Sequence, residues 1–210
     1  MKKIIFMLVL IASIGSIYAK EITVSVGAGQ HWKQKSEPQF AVWLEDADGN
    51  YIKTIYVTGK ASKKSWVFSP KEGRPESLPV WYNASKQKAG AAGSADDGQQ
   101  LDAVTSATPK GGVIFSTEIE DESYIIKAEF NTSFDYNDFY TKKSTGVNGQ
   151  PSVVYSAEIP EGFSKESGEI KLAFAGCGSL DGSDGELHTD DSNLTTAKSI
   201  VKLVAVTTAE

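Results

Sequence analysis

A stretch rich in small and hydroxyl-bearing residues, DAVTSAT, occupies positions 102–108 and is followed by a proline. Thr108 carries a hydroxyl group that becomes a nucleophile only when an external base and a metal ion activate it. The Gly/Ala-rich tract 89–101 before the stretch predicts a mobile surface loop, which would give Thr108 reach. The segment therefore suits a residue that a second protein modifies. A structural interpretation stays open, because aspartate and threonine also begin turns and Thr-Pro often introduces a strand.

Few other groups in the chain could do chemistry. His31 and His188 are the only histidines, and no Cys/His spacing indicates a zinc site. The acidic stretch 176–196 has oxygen ligands for calcium, but not in EF-hand order, so we interpret it as a solvated loop. Cys177 is the single cysteine, and the sequence contains no pattern of a Ser/His/Asp triad or a phosphate-binding glycine loop. We therefore predict no catalytic residue and no metal site.

Apolar and polar residues alternate with a period of two along most of the chain, which predicts strands. The clearest signal is a β-hairpin over residues 38–58, in which Phe40, Val42 and Leu44 share one face and Trp43 points the other way. Its Asp-Gly-Asn turn tolerates the positive φ of a tight hairpin. Further strands are predicted at residues 22–26, 65–68, 113–119, 124–131, 152–159, 168–175 and 199–207, and a short helix at 77–88.

This order of elements predicts a mainly β protein. Many short strands separated by turn signals favour a single immunoglobulin-like antiparallel β-sandwich with one short helix and two long loops, 89–101 and 176–196. The aromatic segment 133–140 could line a flavin or ligand pocket. We favour a structural role instead, in which its aromatic rings close the sandwich while Asp135 and Asn137 satisfy a turn.

The N-terminus has the order of a cleavable export signal. A basic start is followed by an apolar run over residues 4–17 and by the small residue Ala19. The run is too short and too interrupted to span a membrane. We predict that residues 1–19 are a signal peptide, that 20–210 form one domain, and that the mature protein is periplasmic or secreted without membrane insertion. The net charge of −6 argues against nucleic acid as a partner.

The stretch at 102–108 resembles the acceptor motif of flavin-transferase substrates, D-x-x-S/T-x-A-T/S. In those proteins the last hydroxyl residue is joined to the phosphate of FMN by a phosphoester bond. The fixed positions are matched by Asp102, Thr105, Ala107 and Thr108, and Ser106 stands where glycine is commonest. The resemblance implies FMN covalently bound to Thr108, with Asp102 and Thr105 recognised by a Mg²⁺-dependent flavin transferase.

Most of the chain is similar to domain-of-unknown-function family 2271, a family of predicted periplasmic proteins. The resemblance spans roughly residues 38–206. It is carried by the hairpin, by residues 102–108, which match the family signature D-A-V-T-G-A-T, and by segments 129–131, 133–137 and 149–152. It implies a periplasmic β-rich domain, considered alongside flavin-transferase and membrane redox systems, whose biochemical role is not established. The two resemblances share one heptad and are not independent.

The sequence thus predicts an exported redox protein that carries FMN on Thr108 and exchanges electrons with membrane or periplasmic redox proteins. It would be a carrier and not an enzyme with its own substrate. The alternative is a flavin-free periplasmic module, in which the heptad loop and the aromatic segment bind a ligand or a partner protein. A hydrolytic enzyme is not favoured, because no nucleophile–base pair is visible.

Overall fold

A computed structural model of the protein describes residues 19–32, 36–59, 61, 74, 76–91, 104–106 and 110–209, with only the backbone described for 87–91 and 104–106. The strands in this part of the chain are β1 (Ala19–Ala28), β2 (Gln39–Asp46), β3 (Tyr51–Thr58), β4 (Val104–Ser106), β5 (Val113–Glu120), β6 (Tyr124–Asn131), β7 (Val153–Ile159), β8 (Ile170–Lys171), β9 (Ala173–Cys177) and β10 (Val201–Thr208). The helices are α1 (Pro79–Ala91) and α2 (Lys142–Thr145), with 3₁₀ turns at Lys165–Ser167 and Thr196–Ser199.

The strands form two sheets that pack face to face. The smaller sheet has the order β5-β1-β10-β8, and its pairs are antiparallel. The larger sheet has the order β4-β3-β2-β6-β7-β9 and is antiparallel except for β4, which runs parallel to β3. The predicted mainly β, antiparallel sandwich is therefore confirmed. Among the described residues no helix is long and apolar enough to cross a membrane.

The predicted hairpin is formed by β2 and β3. Its turn is fixed by Asp46, whose Oδ1 accepts hydrogen bonds from the backbone N–H groups of Asp48 (3.0 Å) and Asn50 (2.8 Å). Gly49 adopts a φ of 85°, which a residue with a side chain rarely takes up. The hydrogen bonds from Asn50 lower the pKa of the Asp46 carboxyl below its ordinary value, because they favour the charged form.

Aromatic rings join the two sheets at the centre of the core. Phe40 stacks on Tyr56 with ring centroids 4.9 Å apart, and on Phe130 at 5.2 Å. Tyr56 in turn stacks on Phe115, which belongs to the smaller sheet, at 4.8 Å. Offset aromatic pairs at such distances add about 0.5–1.5 kcal/mol each to the gain from burial. The stack therefore fixes how one sheet lies on the other.

A third layer covers the outer face of the larger sheet. Leu78, Val80 and Trp81, at the start of α1, pack with Trp43 and Val57 into a second apolar cluster. Trp43 is fully buried although it points away from the sandwich core. The strand β2 is consequently buried on both faces.

The predicted helix 77–88, the loop 89–101 and the strand 168–175 differ from the structure in their bounds. The helix runs from Pro79 to Ala91, so the prediction of a loop is wrong for its first three residues, 89–91, and residues 92–101 lie outside the described residues. The predicted strand 168–175 is split, because the N–H of Leu172 bonds to Val204 O of the smaller sheet and the chain then crosses to the larger sheet. The strand predicted at 65–68 also lies outside the described residues.

Candidate functional site

Four strands of the larger sheet meet at the end where β4 stops. Ser106, the last residue of β4, is paired with Thr58, the last residue of β3. The hydroxyl of Thr58 donates to Oε1 of Gln39 at 3.0 Å, and Gln39, which begins β2, is paired with Asn131 at the end of β6. These residues lie at the same end of four neighbouring strands. We call this end of the larger sheet, with the loops that follow its strands, the Ser106 end.

The heptad predicted to accept FMN leads to the Ser106 end. Thr105 and Ser106 lie in β4, where their backbones pair with Val57 and Thr58. Among the described strands β4 lies at the edge of its sheet and is three residues long. The predicted site residues Asp102, Ala107 and Thr108 lie outside the described residues. The structure therefore places the middle of the heptad in extended form at a sheet edge.

A buried polar network fixes the loop that follows β6. Asp135 accepts hydrogen bonds from Thr196 Oγ1 at 2.6 Å and from Gln150 Nε2 at 2.9 Å. Gln150 Nε2 also contacts Thr196 Oγ1 at 2.6 Å, while Gln150 Oε1 accepts from the N–H of Thr195 at 2.7 Å. Asp135 and Gln150 are both buried. The network ties three segments that are far apart in the sequence into one rigid support.

The structural interpretation of the aromatic segment is only partly confirmed. Asn137 does satisfy a turn, because its Oδ1 accepts from the N–H groups of Phe139 (3.0 Å) and Tyr140 (2.7 Å). Tyr140 is buried in the sandwich core. The carboxylate of Asp135 accepts from Gln150 and Thr196, which are distant in the sequence, so its role extends beyond a local turn. Phe139 is 61% exposed, so it does not close the sandwich.

Phe134 has an unusual backbone and an exposed ring. Its φ is 66°, the one positive value at a non-glycine residue in the described chain. Such a conformation is an outlier for a bulky residue and persists only where the surroundings enforce it. Here the N–H of Phe134 donates to Val147 O at 2.8 Å, and the N–H of Gln150 donates to Asp135 O at 2.9 Å. The ring is 42% exposed. Sequence reasoning gave no signal for this conformation.

Gly149 packs directly against the backbone of Asp135, next to Phe134. Its φ is 74°, and a Cβ at this position would lie 2.5 Å from Asp135 O and 2.6 Å from Asp135 N. The backbone of the loop thus approaches Asp135 so closely that no side chain fits between them. A glycine is required here both by conformation and by space.

Several exposed apolar side chains lie on the loops that follow β6 and precede β7. Large exposed hydrophobic residues in the described chain are Ile114, Phe134, Phe139, Val147 and Leu180. Asn148 Nδ2 donates to Leu180 O at 3.3 Å, which brings Leu180 next to the loop that holds Val147. We call Phe134, Val147 and Leu180 the Phe134 patch.

Arg74 connects the segment before α1 to the loops of the Ser106 end. Its guanidinium group donates to Ser133 Oγ at 3.1 Å and to Asn148 Oδ1 at 2.8 Å. Its Nε lies 3.3 Å from Glu76 Oε1. The arginine therefore places a positive charge beside the residue that precedes Phe134. Nothing in the local sequence pattern singles it out.

Glu129 fastens the start of α1 to the sheet. Its carboxylate is fully buried and accepts from Trp81 N at 2.8 Å, from Val80 N at 3.3 Å and from Ser152 Oγ at 2.6 Å. Free N–H groups at a helix start favour such an acceptor. Burial raises the pKa of Glu129 to about 7, while the hydrogen bond from Ser152 and those from the helix oppose this.

The sequence indicates a solvated loop and not a calcium site for the acidic stretch 176–196. The described residues contain no group of three or more His, Cys, Asp or Glu side chains that could hold a metal ion. In that loop His188 Nε2 lies 3.1 Å from Asp184 Oδ1, and both side chains are partly exposed. Cys177 is buried, and burial raises the pKa of its thiol, which disfavours the reactive thiolate.

The fold and the site define a layered β-sandwich whose one end combines an edge strand with rigid, partly apolar loops. Residues 20–128 match the profile of DUF2271, a family described as predicted periplasmic proteins. The match covers just over half of the chain, and the chain belongs to this family. The predicted family and the periplasmic location are thereby confirmed. Segments 129–137 and 149–152 lie beyond the matched residues. No curated protein and no solved structure matches the chain.

Proposed function

We propose that this protein is a periplasmic electron carrier with FMN covalently bound to Thr108. The observation that supports this most is the position of β4. A transferase must take its acceptor in extended form, and Thr105 and Ser106 are extended in a three-residue strand at the sheet edge. Only one described neighbour, β3, holds this strand. So short an edge strand can leave the sheet at little cost to the sandwich.

The modification itself needs little from this chain. The Thr108 oxygen forms a bond to the phosphorus of the FMN half of a flavin dinucleotide, and the pyrophosphate bond breaks. The nucleoside monophosphate leaves, and the hydroxyl proton passes to a base of the transferase. Thr108 must reach the transferase, with Asp102 and Thr105 as its recognition residues. Bound flavin supplies the electron chemistry.

The rest of the Ser106 end suits a carrier. The Asp135 network holds the loops in one conformation, and a rigid support limits the reorganisation that accompanies a change of charge. The exposed loops leave room for a membrane or periplasmic redox protein to approach. Family membership supports the same compartment in which such partners operate.

Co-expression with a flavin transferase tests the proposal. We expect the intact mass of the exported protein to rise by one FMN less one water, and the denatured band to fluoresce. Thr108→Ala should abolish both signals, whereas Thr108→Ser, which keeps a hydroxyl, should retain them. Ser116→Ala is the matched control, because Ser116 is an exposed hydroxyl on β5, the edge strand of the smaller sheet.

Two outcomes would contradict the proposal. One is an unmodified wild type beside a transferase that labels another acceptor in the same cells. The other is full labelling of Thr108→Ala. The first result would favour the flavin-free binding module, and the second would place the FMN on a residue other than Thr108.

A further inference from the structure

We propose that the Phe134 patch is the surface on which the isoalloxazine ring of this chain's own FMN rests. The inference depends on the proposed function, since it needs a flavin attached to the heptad. It adds a binding site made of residues 134, 147 and 180, which lie far from the heptad in the sequence. The observations that carry it are the placement, the rigidity and the apolar character of the patch.

The placement follows from the register of the larger sheet. Ser106 and Asn131 lie at the same end of the sheet, with β3 and β2 between their strands. Three strand intervals of about 4.8 Å separate them by roughly 14 Å. Thr108 follows Ser106 by two residues, and Phe134 follows Asn131 by three. A flavin tethered through its ribityl phosphate chain can bridge a separation of this size.

The backbone of Phe134 is held in one conformation by its surroundings. Its φ of 66° is enforced by the hydrogen bond to Val147 O and by the close approach of Gly149 to Asp135. Asp135 is itself held by Gln150 and Thr196. Strained residues that the surroundings fix in this way cluster at ligand-binding sites. A side chain on a fixed backbone has less conformational entropy to lose when it binds a flat ligand.

The chemistry of the patch matches a flavin ring. Phe134 offers an aromatic face, and Val147 (50% exposed) and Leu180 (38% exposed) add aliphatic surface. A planar heteroaromatic ring gains both apolar burial and stacking on such a surface. Phe139 lacks the same support, because it sits in the Asn137 turn with its ring edge-on to Tyr140 at 4.9 Å.

Flavin fluorescence tests the inference on protein whose FMN content has been verified by intact mass. Docking on the patch slows the rotation of the flavin ring and shields one of its faces from solutes. In Phe134→Ala we expect lower anisotropy and stronger quenching by iodide. The ratio of docked to undocked flavin should fall roughly two- to tenfold, the range of one aromatic pair. Phe139→Ala is the matched control and should leave both readouts unchanged.

The outcomes separate this inference from the proposed function. Unchanged anisotropy and iodide quenching in a folded, fully flavinylated Phe134→Ala would overturn the inference while the proposed function stands. Absence of FMN from the wild type would overturn both. If Phe134→Ala does not fold, Val147→Ser replaces it, with a smaller change expected in the same direction. No change in a folded, flavinylated Val147→Ser would overturn the inference equally.

Discussion

The larger sheet has two buried faces that are built differently. The face toward the smaller sheet is apolar, with Phe40, Tyr56 and Phe130 stacked ring on ring. The face beneath α1 mixes apolar residues with buried polar groups, such as Glu129 and the ion pair of Glu45 and Lys127 (2.6 Å). Apolar packing is non-directional, whereas buried polar contacts depend on geometry and protonation.

The difference indicates that α1 can detach from the larger sheet while the two-sheet sandwich stays folded. The sandwich core holds the fold, and α1 is fastened to it by an apolar cluster and by a few directional contacts. The chain runs from α1 into the tract before β4. The helical layer, whose attachment depends partly on polar contacts, therefore leads to the heptad. We therefore expect changes beneath α1 to act locally and changes between the sheets to act globally.

The largest effect is expected from Phe40→Ala. Removing this fully buried ring leaves a cavity at the centre of the stack, and such truncations cost about 3–5 kcal/mol. Denaturant unfolding should show this loss with all probes changing together. Ile114→Ala is the control, because Ile114 is 71% exposed and its replacement should stay within about 0.5 kcal/mol. If Phe40→Ala destabilised only α1, the distinction between the sandwich core and the face beneath α1 would be contradicted.

The second effect is a pH dependence that arises beneath α1. Burial raises the folded-state pKa of Glu129 from 4.5 to about 7, so the folded state binds this proton more tightly than the unfolded chain. The resulting stabilisation is fully present below pH 4.5 and is lost as the pH rises through about 7. It amounts to about 3 kcal/mol at most.

Chemical denaturation of wild type and Glu129→Gln at several pH values checks this effect. Glutamine cannot ionise, so the free-energy difference between the two proteins should change between pH 5 and pH 8 in favour of the variant. Comparing the two proteins removes contributions from other titrating groups. A difference that does not vary with pH would show that Glu129 does not titrate in this range.

A smaller effect is expected from Glu129→Ala at pH 5. The N–H groups of Val80 and Trp81 and the hydroxyl of Ser152 lose their acceptor, which costs about 2 kcal/mol. Native-state hydrogen exchange should show faster exchange in α1, while β2 and β6 keep their protection. Equal acceleration in helix and strands would contradict the separation of the layers.

The smallest effect is expected from Trp81→Phe. The indole Nε1 donates to Thr54 Oγ1 at 2.8 Å, and phenylalanine removes this bond while retaining most of the apolar contact. The loss should be about 1 kcal/mol, and again local to α1. Tyr51 remains as a partner of Thr54 at 2.6 Å, which limits the cost. Hydrogen exchange in α1 measures it.

The elements that local pattern determines could be predicted from the sequence. Alternation and an Asp-Gly turn specified the β2–β3 hairpin, and Pro79 indicated the first turn of α1. The break at Leu172 could not be predicted, because the pattern there continues and only pairing with β10 divides it. The only sign in the sequence that β2 is buried on both faces was Trp43, an apolar residue on the face that points away from the core.

Most of the candidate site depends on contacts between distant segments. Asp135 lies 15 residues from Gln150 and 61 from Thr196, so no local pattern reports their network. The positive φ of Phe134 follows from that network and not from its own type. Glu129 left a faint signal, as a carboxylate within a largely apolar strand, which indicates a buried partner. The heptad was recognised because it is a contiguous motif.

Peptide mass spectrometry on protein co-expressed with a flavin transferase tests the central claim most directly. Trypsin should release residues 89–110 as one peptide, which contains the whole heptad and ends at Lys110. The account predicts that this peptide carries FMN and that fragmentation places the phosphoester on Thr108. An unmodified peptide, or FMN located on Ser94, Thr105 or Ser106, would contradict it.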